Sequence, residues 1–502
     1  MKMLEANRAS WTLAILFIVA SCHGLSSFAA GQSSDEDHWY QINLAGSHVG
    51  WQHSSESLEG DERVSTTDMA MSLRRGEMVI DVSVESEWKE LLSGTPVSVK
   101  MVQDMSAMKT ITRWSFLPDM IKSLETSGGP PVTRELPLPE KAWLTPYQGQ
   151  QYFLRKLSEG EKEISFETMS PEIGPRVITI TFTHVGDDVM DVMDQSMDVS
   201  IWNMVNDAMP QMVTKQWIDG EGLMVASEID IGIGKMMMTL VDKATALKET
   251  DSAPEVFNSL LIEPDRSIRN PWKARRVIMK VRTKNGSPVE LPSVGCQTIA
   301  GTGDGSATVM VDVQMPQPVL PDERANPEFL GQSAMINPED EVIIKLHEQS
   351  TASLPEEATT LDRADAMREF VFDFIEEKNL STAFASASEV ARTRMGDCSE
   401  HGVLLAALLR ADGIPSRVVH GLVYVPGFGK KKQGAFGWHM WTQAQIDGNW
   451  VDVDATLPVR FSGGHITTGT SSLSRGAGSA DMANMIPSIN NFEIDVLRVD
   501  SE

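Results

Sequence analysis

Arg394-Met395-Gly396-Asp397-Cys398-Ser399-Glu400-His401 runs directly into the apolar stretch Val403-Leu404-Leu405-Ala406-Ala407-Leu408-Leu409. That stretch has no polar face, so it predicts a helix from Ser399 that is buried on nearly all sides. Gly413 supplies a left-handed cap and Pro415 stops continuation. Cys398 then stands at the N-terminus of the helix, where the positive pole of the macrodipole favours the thiolate, the nucleophilic form of cysteine.

Three strands are expected downstream, over 416–425, 436–446 and 449–453. Asp447-Gly448 between the last two is a strong two-residue hairpin signal. If it is the turn, Ile446 pairs with Asn449, His439 faces Thr456 and Trp441 faces Asp454. Side chains alternate with a period of two, so His439, Trp441, Asp454 and Thr456 share one face. Asp454 is then the diagonal neighbour of His439, within carboxylate–imidazole reach. A slip of one residue would separate the two. Cys398 as nucleophile, His439 as base and Asp454 as the group orienting the base are the set that acyl transfer needs. Each has a bland reading alone: a buried thiol, a satisfied core histidine, a turn aspartate. A metal reading with Cys398, His401 and His439 as three ligands is weaker, because no paired-ligand spacing stands out.

The chain has 502 residues, enough for two to four domains at about 150 residues each. Its 41% apolar content fits packed domains. With Lys plus Arg at 43 against Asp plus Glu at 70, the net charge is −27, which argues against general nucleic-acid binding.

Lys2 and Arg8 precede the apolar run 12–20, which is too short to span a bilayer comfortably and is followed by small residues. A signal peptide over 1–29, cleaved after Ser27-Phe28-Ala29, is preferred. Val19-Ala20-Ser21-Cys22 resembles a lipobox, which would give a membrane tether through lipidated Cys22. Both readings imply export to a periplasmic or extracellular place; an uncleaved anchor is the weaker alternative, given the short apolar run. Export permits a Cys296–Cys398 disulfide, which would silence Cys398; Cys296, in a β-like stretch, reads more simply as a small buried hydrophobe.

A β-rich N-terminal domain is expected over 36–255, as a large curved antiparallel sheet or open barrel. Residues 45–47 form its first turn, and 78–84 and 177–183 are further strands. A small β segment and a proline-rich linker (Pro316, Pro318, Pro321, Pro327) follow over 256–330, and a helix-opened domain over 335–502. Asn337 is the candidate N-cap of its first helix, with Pro338 as the first helical residue. A second helix carries Met367, Phe370, Val371 and Phe374 on one face, and a third spans 386–394. Residues 491–499 add a final strand. The fold class is therefore α+β.

Three blocks of the C-terminal part resemble the transglutaminase-like superfamily, which is built on a papain-like core. They are Gly396-Asp397-Cys398-Ser399-Glu400-His401 with 408–419, His439-Met440-Trp441, and Trp450-Val451-Asp452-Val453-Asp454-Ala455-Thr456. In order and at this spacing they are specific. The resemblance implies Cys398 as nucleophile, His439 as base and then acid, Asp454 as orienter, and a thioester acyl-enzyme resolved by water or an amine. Gln443 departs from the glutamate many members carry on the histidine strand, and Ala455 from a proline common after the aspartate. No dissociable cofactor is implied, and a calcium requirement known in some relatives has no loop signature here. The partner expected is a protein or peptide substrate; nothing in the sequence marks an oligomeric state. A scaffold that has lost turnover is the alternative from another class.

Overall fold

A computed structural model describes residues 36–75, 78–105, 108–250, 261–376, 385–428, 433–474 and 489–501. The signal segment, Cys22 and the basic triplet 430–432 lie outside the described residues.

The N-terminal part is one antiparallel sheet of fourteen strands among the described residues, from β1 (Glu36–Leu44) to β14 (Lys235–Val241). All but one pair of consecutive strands are neighbours in the sheet, which suits short polar turns. The turn Ala45-Gly46 after β1 has φ of 51° and 88°, the doubly left-handed form that matches strand twist. The two meanders join where β1 pairs with β14. The sheet edges are β8 (Val132–Pro137) and β9 (Glu163–Ser170), and no ladder joins them among the described residues, so the sheet is open. Helix α1 (Pro146–Ser158) links them; Thr145 caps it, and its Phe153 packs on Phe182 and Trp202.

A small sheet follows, of β15 (Ala274–Thr283), β16 (Gln297–Gly301) and β17 (Ala307–Asp312). The expected final strand forms as β22 (Phe492–Ser501) and completes this sheet by pairing with β15. Cys296 stands just before β16 rather than inside a strand.

Four helices open the C-terminal part: α2 (Glu341–Thr351), α3 (Thr360–Phe374), α4 (Ala387–Thr393) and α5 (Cys398–Ala411). Asp340 caps α2, accepting from Val342 N, while Asn337 accepts from Glu339 N in the turn before it. The expected start at Pro338 is thus three residues early. A shorter polar turn uses the Asn337 side chain first. From Cys398 to Arg410 every residue of α5 is buried. Each leucine in it contributes about 1.5–3 kcal/mol by burial, and Leu405→Ala would cost about 2–5 kcal/mol.

The second sheet has the order β20–β19–β18–β21, with β18 (Ser416–Val425), β19 (Ala435–Ile446), β20 (Asn449–Val453) and β21 (His465–Ser471). Ile446 pairs with Asn449 and Thr442 with Val453, the register set by Asp447-Gly448, whose φ values are 49° and 77°. Pairing stops at Val453. Asp454 turns its N–H to Arg460 O at 2.7 Å, so the expected Trp441–Asp454 and His439–Thr456 ladder pairs do not form.

One face of this sheet carries α5: Thr442 Oγ1 donates to Gly402 O at 3.0 Å and Ser416 Oγ to Ala406 O at 3.0 Å. The other face meets the small sheet, where Cys296 N donates to Asp452 and Gln297 exchanges hydrogen bonds with the Thr467 backbone. The proline-rich stretch expected as a linker lies along the free edge of β20, with Trp450 N donating to Gln317 O and Val319 N to Gly448 O.

Candidate active site

The turn before α5 sets Cys398 at the helix start. Gly396 has φ +153°, and a Cβ there would lie 2.2 Å from Glu400 Cβ. Asp397 caps the helix, accepting from Ser399 N at 2.9 Å, and Glu400 closes a capping box by accepting from Asp397 N at 2.8 Å. The other Glu400 oxygen accepts from Ala385 N at 2.7 Å. Burial, together with the Asp397 carboxylate, pushes Glu400 well above the ordinary range. Cys398 is the first helical residue and is itself buried.

α5 runs in the same direction as β19, since Gly402 sits beside Thr442 and Ala406 beside Ser416, the partner of Ala444. Four residues of helix rise about 6 Å and two of strand about 6.6 Å. The helix N-terminus therefore lies level with Met440 and His439.

His439 Nε2 is 2.7 Å from Asp454 Oδ2, and both side chains are fully enclosed. Asp454 Oδ1 accepts from Thr456 N at 2.8 Å and Thr456 Oγ1 at 2.5 Å. Burial raises its carboxyl, but the His439 and His465 rings outweigh that and hold it well below the usual carboxylate range. His439 Nδ1 is buried and has no hydrogen-bond partner among the described residues. A ring held at Nε2 by a carboxylate and open at Nδ1 can take up and return a proton.

Gln443 sits in a second cluster on the same face. Its Nε2 donates to Asp452 Oδ1 at 2.8 Å, and its Oε1 accepts from Arg417 Nε at 2.9 Å. The Arg417 guanidinium lies 3.9 Å over the Trp450 ring. Asp452 also accepts from Trp441 Nε1 at 2.7 Å and Cys296 N at 2.6 Å, so it fixes the strand beside the histidine.

Sequence reasoning missed His465, whose Nε2 is 3.3 Å from Asp454 Oδ2. No local pattern marks it, because β21 reaches the site only by pairing with β18. Among the described residues, His439, Asp454 and His465 are the cluster whose ligand-type atoms lie within 4.8 Å of one another; Cys398 and His401 are not in it. The metal reading through Cys398, His401 and His439 therefore has no support. His401 Nδ1 instead contacts the Asp397 carbonyl, and His420 Nδ1 is 3.0 Å from Thr468 Oγ1. No disulfide joins Cys296 to Cys398. Burial pushes Cys296 well above the ordinary thiol range, with Asp452 adding to the shift.

The family model of the transglutaminase-like superfamily matches residues 347–455, which include Cys398, His439 and Asp454. No curated protein matches the chain. Among solved structures, the chain is similar to a β-barrel-like protein of a domain of unknown function from Brucella abortus. The identity is 13%, covering 42% of this chain and 98% of that one, with a TM-score of 0.34. It is also similar to the periplasmic domain of TgpA from Pseudomonas aeruginosa bound to ethylmercury. There the identity is 16%, covering 40% of this chain and 88% of that one, with a TM-score of 0.26. Residues 347–455 are thus a transglutaminase-like domain, carried behind a large antiparallel β-sheet.

Proposed function

We propose that the protein is an exported cysteine acyl-transfer enzyme that cleaves an amide or peptide bond through a Cys398 thioester. The observation that carries this is His439, bound at Nε2 to Asp454 and open at Nδ1, in a strand level with the helix that starts at Cys398. The Cys398 thiolate attacks the amide carbonyl carbon and a C–S bond forms. The C–N bond then breaks as the amine takes a proton from His439 Nδ1. His439 next draws a proton from water, whose oxygen displaces the sulfur and releases a carboxylic acid. An amine acceptor in place of water gives transamidation; hydrolysis is the preferred outcome. The Cys398 backbone N–H at the helix start is one oxyanion donor. Export rests on Lys2, Arg8 and the apolar run 12–20, with Cys22 as a lipid tether if the lipobox is used.

A catalytically silent scaffold is the second reading. It is favoured by the burial of Cys398 and His439, each 1% exposed.

Alkylation of Cys398, followed by peptide mass spectrometry against pH in the mature protein and its His439→Ala variant, separates the two. A fast rate that persists below pH about 7 and is lost in the variant is expected of the enzyme. A rate that rises only near an ordinary thiol pKa of about 8.5, unchanged by the variant, would overturn it.

A further inference from the structure

Asp454 is shared by two histidines. Its Oδ2 faces His439 Nε2 at 2.7 Å and His465 Nε2 at 3.3 Å. The other His465 nitrogen, Nδ1, lies 2.8 Å from the Ser462 carbonyl oxygen. A carbonyl only accepts, so Nδ1 carries a hydrogen; an ionised carboxylate also only accepts, so Nε2 carries one too. A ring donating from both nitrogens is an imidazolium. Phe461 stacks on it at 4.1 Å between centroids, and Trp441 meets it edge-on at 5.1 Å. Asp454 lies against it, and the His439 ring stands at 5.9 Å between centroids.

The charges of the reacting set explain why a second cation belongs here. A Cys398 thiolate, a His439 imidazolium and an Asp454 carboxylate together carry one net negative charge, in a place where none of the three side chains is open to water. An unbalanced buried charge is strongly unfavourable. A charged His465 brings the set to zero. With Thr456 it also occupies three of the four donor contacts on Asp454, leaving the remaining one aimed at His439. The loop before His465 is pinned from outside the domain, since Gly463 N donates to Ala274 O of β15 at 2.7 Å.

We propose that His465 is a positioning residue of the acyl-transfer site, a charged partner that anchors Asp454 and balances it when the Cys398–His439 ion pair forms. This rests on the reading of Cys398 and His439 as nucleophile and base.

The test uses the mature chain, its His465→Gln and His465→Phe variants, and His439→Ala as reference. Two quantities are measured: the Cys398 alkylation rate by iodoacetamide against pH, and the protonation of ring nitrogens by 15N NMR of histidine-labelled protein. His465 is expected to show hydrogens on both ring nitrogens, as its two acceptors require. Loss of its charge is expected to slow alkylation near pH 6 by about tenfold and to displace the profile in pH. His465→Gln keeps a donor to Asp454 without the charge, so it holds the fold yet stays slow. Should the phenylalanine variant fail to fold, the glutamine variant and the NMR signal decide. A wild-type rate indifferent to His439→Ala would sink the parent reading. A rate that needs His439 but is unchanged in His465→Gln, with a neutral His465 ring, would overturn this inference alone.

Discussion

Gln443 Nε2 lies 2.8 Å from Asp452 Oδ1 across the β19–β20 pair, and both side chains are fully buried. Burial pushes the Asp452 carboxyl up, while the donors from Trp441, Cys296 and Gln443 pull it back. A glutamate at 443 would set two buried carboxyl groups against each other. Gln443→Glu is therefore expected to cost about 3 kcal/mol at pH 7. The added group would have a folded pKa raised above its unfolded value of about 4.3. Its cost is absent below that pH and grows as pH rises towards the folded value. Urea midpoints at pH 7 and pH 4.5 check this; an equal loss at both would mean the amide acts by shape alone.

Gly295 presses on the same pair. It has φ +55°, and a Cβ there would lie 2.1 Å from Gln443 Nε2 and 2.2 Å from Asp452 Oδ2. Gly295→Ala must part the small sheet from the β19–β20 hairpin, at about 1–3 kcal/mol for the overpacking. Thermal unfolding should shift down, and the near-ultraviolet signal of Trp441, which donates to Asp452, should change with it.

Glu172 in the N-terminal sheet is buried beside Ser170, and burial pushes its carboxyl up to about 7. A raised acid contributes its stability in full below the unfolded pKa and loses it as pH rises through the folded value. Wild type should therefore lose about 3 kcal/mol between pH 4.5 and pH 8 from this group. Glu172→Gln should remove that slope. Denaturant titrations of the two proteins across the range decide it, and parallel curves would show that Glu172 is not the source.

Asp454→Asn keeps the shape of the site but offers no charge to an imidazolium at His439. Near pH 6 the Cys398 alkylation rate is expected to fall by about 10²-fold, with the far-ultraviolet spectrum unchanged. The depressed carboxylate also contributes stability that is present above about pH 4 and lost only as pH falls through its lower folded value, so the variant should be the less stable at neutral pH. A rate equal to wild type would remove Asp454 from the catalytic set.

The parts legible in the sequence are those fixed by neighbours along the chain. Asp447-Gly448 set the β19–β20 register through Thr442–Val453, and Ser386, Cys398 and Gly413 marked helix ends within a residue. What was not legible depends on distant partners. Asp454 leaves its strand because Arg460 O takes its N–H, yet its carboxylate still reaches His439. The prolines before α2 read as a break, although the edge of β20 recruits their backbone. His465 carries no local mark, and Asp452, two residues from Asp454, has a different task only because Cys296 N stands opposite.

The pairing of β22 with β15 has a consequence for the order of assembly. The N-terminal meander joins neighbours in sequence and can zip as it emerges. The small sheet that pins Gly463 and receives Asp452 is completed only by Phe492–Ser501, made long after Cys398. A chain still being synthesised would thus carry Cys398 at the start of α5 while the sheet behind the β19–β20 hairpin still lacks its last strand.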